Sequence, residues 1–131
     1  GKGEYLELMN QSGALAFGLE HLLESVEFCK QKGLKVERGF IESSSYKLQN
    51  SPFDAFFVLN FLEHIPDMNS FLKGIANNLH DEAIGLVEVP NFDMIIEKKL
   101  FSEFIPDHLY YFTEKTLTLI LEMNGFDILE C

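Results

Sequence analysis

The chain of 131 residues fits one domain, and its 47% hydrophobic content, with 13 Phe, is ample for a packed core. Ten basic against twenty-one acidic residues give a net charge of −11, which disfavours nucleic acid and anionic membranes as partners and suits a small or cationic ligand. Cys29 and Cys131 cannot build a disulfide framework, so a reducing, cytoplasmic setting is expected, and no apolar run reaches the roughly 18 residues of a membrane span.

Glu4 to Gln11 has helix-forming residues with Tyr5, Leu6, Leu8 and Met9 available to pack, opened by Gly1-Lys2-Gly3 and stopped by Ser12-Gly13. Ala14 to Leu19 is a nearly continuous apolar run, the pattern of a strand covered on both faces, and it ends at Glu20. The spacing of Val26 and Cys29 predicts an amphipathic helix from about Leu23 to Lys32, with Gly33 as its C-cap, and Leu34 to Arg38 alternates as a short strand. Ile41 to Pro52, with three consecutive serines, reads as a connecting loop.

Phe53 to Leu59 is again a buried strand, with Asn60 at its carboxyl end. A helix follows from about Met68 to Leu79 with Asp67 as N-cap, then a strand from Ala83 to Val89 stopped by Pro90. Asn91 to Phe112 is irregular or partly helical. Thr113 caps a helix running to Asn124 with Gly125 at its end, and Phe126 to Glu130 reads as a last short strand. Strands alternating with helices predict an α/β, Rossmann-like, mostly parallel sheet with helices on both faces.

In such sheets a ligand lies beyond the carboxyl ends of the strands, and the candidate residues collect there. Gly1 and Gly3 precede a helix, where glycine lets backbone approach a ligand and the helix amides offer hydrogen bonds. Glu20 closes a strand where a carboxylate can accept two ribose hydroxyls; its distance from Gly3 is near the roughly 20 residues of that role, although an exposed acid at a helix start reads the same way. Asn60, Glu63 and His64 follow the strand Phe53 to Leu59 and are expected to line the same crevice, with His64 as a ligand contact or as a histidine packed at a helix start. Asp107 to Thr113 carries His108 as a candidate general base, with Tyr110 and Tyr111 as walls or donors of a substrate pocket or as plain core packing. No metal-ligand set is assigned.

These residues resemble a family. Gly1-Lys2-Gly3-Glu4-Tyr5-Leu6-Glu7-Leu8 is similar to the tail of the glycine-rich motif I of class I S-adenosylmethionine-dependent methyltransferases, and Gly18-Leu19-Glu20 to their second strand with its ribose-binding acid. Phe53-Asp54-Ala55 through Leu62-Glu63-His64-Ile65-Pro66-Asp67 resembles the fourth-strand motif. Glu88-Val89-Pro90-Asn91-Phe92 and Asp107-His108-Leu109-Tyr110-Tyr111-Phe112-Thr113 look like the fifth strand and the substrate-side segment of a small-molecule subgroup.

The resemblance implies S-adenosylmethionine as cofactor, held by Gly1, Gly3 and Glu20 and flanked by Asn60, Glu63 and His64. It also implies a small-molecule methyl acceptor. Phe40 stands where the family often has an acid for the adenine amino group, so it would wall or stack on the adenine instead. The family's sheet order, 3-2-1-4-5-7-6, would place a first strand upstream of Gly1 and a last one after Cys131. The chain is therefore expected to be a single partial methyltransferase domain, truncated at both ends, that belongs to a longer protein, rearranges or pairs as a homodimer. Two other readings remain open at this point: a noncatalytic remnant serving in association, and a nicotinamide-dependent dehydrogenase.

Overall fold

The computed structural model describes residues 1–131, which fall into two compact units, Gly1–Phe40 and Ile41–Cys131. In the first, helix α1 (Glu4–Gln11) is followed by strand β1 (Gly18–Glu20), helix α2 (Leu23–Gln31) and strand β2 (Val36–Arg38). The two strands are parallel, with Gly18, Leu19 and Glu20 opposite Val36, Glu37 and Arg38. The connection between these parallel neighbours runs through α2. Helix α2 buries Val26 and Cys29 and ends at Gly33, whose φ of 76° is the left-handed turn that the sequence places there.

Strand β1 is shorter than the run Ala14 to Leu19 predicts. The end of α1 takes the intervening amides: the Met9 carbonyl accepts from Ala14 at 3.1 Å, and the Asn10 side-chain oxygen from Ala16 at 3.1 Å. Both are thereby withdrawn from any ladder.

The second unit is built on a parallel pair, β3 (Phe53–Leu59) and β4 (Leu79–Glu88), joined through helix α3 (Met68–Ala76). Helices α4 (Phe92–Glu97) and α5 (Glu114–Met123) follow. Asp67 caps α3 by accepting the Ser70 amide at 3.1 Å, and Thr113 and Thr116 close a reciprocal capping box on α5. Leu62, Ile65, Phe71, Leu72 and Ile75 form the core here, with Val58, Ile95, Phe112 and Leu121 also buried.

Three sequence expectations in this unit are corrected. Helix α3 stops at Ala76, and Leu79 already belongs to β4, because the Asn78 side chain takes the Gly74 carbonyl at 2.7 Å and ends the helix. Phe126 to Glu130 forms no strand: the Phe126 amide closes the end of α5 on the Leu121 carbonyl at 3.2 Å. Strand β3 is not buried on both faces. Phe56 lies over Gly85, where a Cβ would strike its ring, and against Phe126 at 5.4 Å between centroids. The opposite face carries Ala55, Phe57, Ile84 and Leu86, with Phe57 50%, Ile84 64% and Leu86 52% exposed.

Each parallel pair is a sheet of its own, and no strand of the chain bridges β1 and β3.

Candidate functional site

In the first unit the carboxyl end of β1 presents Glu20. Its Oε1 accepts the Leu22 amide at 2.9 Å, its Oε2 accepts from the Gly1 amino group, and His21 Nδ1 lies 3.3 Å from Oε1. Glu20 is thus a hydrogen-bond acceptor at the end of a strand.

Gly3 has a φ of 83° and caps α1 from the left-handed region. A Cβ there would come within 2.5 Å of Leu34 Cδ1 and 3.0 Å of Cys29 Sγ, so glycine is required by both torsion and space. Gly1 has open space around it. Phe40 is partly buried just beyond β2, at the last position of this unit.

In the second unit Asn60 leaves β3 with a φ of 47°, donates its amide to the Glu88 carbonyl at 2.8 Å and its side chain to Glu88 Oε1 at 2.5 Å. It ties the carboxyl ends of β3 and β4 together. A 3₁₀ turn, Leu62–His64, then turns Glu63 inward, where it is 1% exposed.

The segment 106–112 is drawn to this turn through backbone. Phe92 donates to the Phe112 carbonyl at 2.8 Å, and the Leu109 and Tyr110 amides donate to the Glu63 carbonyl at 2.9 and 3.3 Å. His108 is carried in beside the Glu63 side chain, with Nε2 3.9 Å from Oε1. His64 Nε2 stands 3.9 Å from the same oxygen, and the two imidazoles meet edge to face at 4.8 Å. His64 Nδ1 lies 2.8 Å from the Asp107 carbonyl. Tyr111 lies 5.9 Å from the His108 ring, whereas the Tyr110 hydroxyl donates to the Pro66 carbonyl at 3.1 Å.

The structure therefore brings together Glu63, His64, His108 and Tyr111, and separately Gly1 with Glu20. Glu20, Asn60, Glu63 and His64 were singled out by their positions after strands, and His108 and Tyr111 by a segment just before a helix. The convergence of Glu63 with His108 was not legible, because it arises from hydrogen bonds between segments distant in sequence.

An α/β fold with parallel strand pairs and polar residues at the strand ends defines a Rossmann-like nucleotide-cofactor domain. The whole chain, residues 1–131, matches the family described as "Methyltransferase domain", and the chain belongs to that family, in the class I S-adenosylmethionine-dependent division. It is similar to "C-methyltransferase NovU" from Streptomyces niveus, 23% identical over 131 residues that cover 98% of this chain and 31% of that protein. It is also similar to the crystal structure of a SAM dependent methyltransferase from Archaeoglobus fulgidus, with a TM-score of 0.72 and 24% identity over 97% of this chain and 57% of that one. The chain thus spans about a third of the length of the curated relative.

Proposed function

We propose that the protein transfers the methyl group of S-adenosylmethionine to an acidic carbon of a small-molecule acceptor, with residues 1–131 as one partial methyltransferase domain. Methyl transfer from a sulfonium is an in-line displacement: the acceptor's electron pair forms the new bond to the methyl group as the carbon–sulfur bond breaks toward sulfur. Alignment accounts for most of the acceleration. An acidic carbon must first lose a proton, and His108 is the group proposed to take it.

The observation that carries this reading is the His108 side chain, 7% exposed and set against Glu63 in a methyltransferase domain. The name of the Streptomyces relative, a C-methyltransferase, supports carbon as the acceptor atom. Gly1, Gly3 and Glu20 are proposed to hold the methionine and ribose portions of the donor, with Phe40 at the adenine. In the second unit Asn60, Glu63 and His64 are assigned to the donor, and Tyr110 and Tyr111 to the acceptor.

The net charge of −11 suits a cationic donor and disfavours nucleic acid and anionic membranes as partners; no helix is long and apolar enough to cross a membrane. A cytoplasmic setting and a homodimer complete the proposal. The deciding measurement is steady-state methyl transfer by full-length protein carrying His108→Ala. A fall in kcat of roughly 100-fold or more, with donor affinity kept, is expected. Full turnover across pH removes His108 as the base.

A further inference from the structure

The cluster around Glu63 has features that an acid–base pair leaves unexplained. Glu63 Oε2 and His108 Nδ1 are buried without a hydrogen-bond partner, and the two side chains are 2% and 7% exposed. Glu63 Oε1 is 3.9 Å from both His64 Nε2 and His108 Nε2, too far for a hydrogen bond to either. A buried carboxylate, the nearly buried His108 imidazole and the partly exposed His64 imidazole thus converge without bonding one another. The unpartnered Glu63 Oε2 sits on the carboxylate that faces both rings, and a buried oxygen in that condition is costly unless something satisfies it, whereas the ring atom of His108 nearest that carboxylate is Nε2 and not the unpartnered Nδ1.

His64 adds a directional fact. A carbonyl oxygen only accepts, so the 2.8 Å contact with Asp107 requires the proton to sit on His64 Nδ1. In the neutral ring that leaves Nε2, on the side of Glu63, as the atom with the free lone pair. A backbone carbonyl orienting one ring nitrogen while the other binds is the usual outer arrangement of a metal-ligating histidine.

We infer that Glu63, His64 and His108 form a divalent-cation site of the two-imidazole, one-carboxylate type. One ligand atom from each lies within 4.8 Å of the others. Bonds of roughly 2.0 to 2.2 Å to nitrogen and oxygen draw such a set together with small side-chain movements. The mixed nitrogen and oxygen donors select a borderline ion such as Zn²⁺ over Mg²⁺ or Ca²⁺, which prefer oxygen. The site goes beyond the methyltransferase reading and does not depend on it. A cation on His108 Nε2 and a free His108 base exclude each other, so occupancy by Zn²⁺ slows a turnover that uses His108 as base.

The test uses full-length protein stripped by a chelator and titrated with Co²⁺ alone, whose visible ligand-field absorption reports nitrogen and oxygen coordination. Glu63→Gln and His64→Asn are compared with wild type and with His80→Asn, a change at a histidine outside the cluster. Wild type and His80→Asn are expected to bind one Co²⁺ equivalent that both cluster variants lose or bind roughly 100-fold more weakly. Equal stoichiometry and absorption in all four proteins overturn the site. Should Glu63→Gln fail to fold by circular dichroism, His64→Asn decides alone. Donor affinity, measured separately by calorimetry on the metal-free protein, reports on the methyltransferase reading independently.

Discussion

The side-chain oxygen of Asn78 accepts the Leu48 amide at 2.8 Å, joining the start of β4 to a loop thirty positions earlier. The same side chain donates to the carbonyls of Tyr46 and Gly74, each at 2.7 Å, and the residue is 1% exposed. One buried amide thus satisfies three backbone groups from a loop and a helix end. Asn78→Ala leaves them unpaired, and a loss of about 2 to 4 kcal/mol is expected. Urea unfolding reads it as a lower midpoint at unchanged slope. A loss below about 1 kcal/mol means that the loop finds other partners.

Gly3→Ala meets both a positive φ and two buried side chains, Leu34 and Cys29. About 1 to 3 kcal/mol of stability is expected to go, and with it the local backbone assigned to the donor. Calorimetry with S-adenosylmethionine should show at least a tenfold weaker affinity. Gly1→Ala has open space and leaves the fold intact. Undiminished donor binding by Gly3→Ala would sink the role of this loop.

Asp67 gives a pH prediction. The Ser70 hydroxyl and amide, with help from Lys73, hold its carboxyl below the ordinary aspartate value of 3.8 against a smaller opposing effect of burial. A depressed folded value means that the ionised cap's contribution is complete above 3.8 and disappears as pH falls through the folded value. Asp67→Asn keeps an acceptor but cannot titrate. Thermal midpoints of the two proteins should therefore converge as pH drops below 3.8, and parallel curves across that window would contradict the assignment.

Local chemistry was legible in the sequence. Asp67 and Thr113 as N-caps, Gly33 and Gly125 at helix ends, and β3 from Phe53 to Leu59 all lie where residue type places them. The misreadings share one cause. Asn10 captures the Ala16 amide, Asn78 ends α3, and the Leu121 carbonyl keeps Phe126 from a strand, each a competition for backbone groups that no hydrophobic period records. The exposed face of β3 and β4 misled differently: Phe57, Ile84 and Leu86 are as apolar as core residues, and pattern alone cannot say what covers them. Glu63 and His108 were each visible as chemistry, but their meeting depends on two amides reaching the Glu63 carbonyl.

Those two amides separate Glu63 into halves with different obligations. Its carbonyl clasps Leu109 and Tyr110, while its carboxylate alone faces the histidines. The clasp belongs to the main chain and survives any side chain that fits. Positions 63 and 108 can therefore exchange residues over evolutionary time while the loop between Pro106 and Phe112 stays fastened. New chemistry at this turn requires no new architecture.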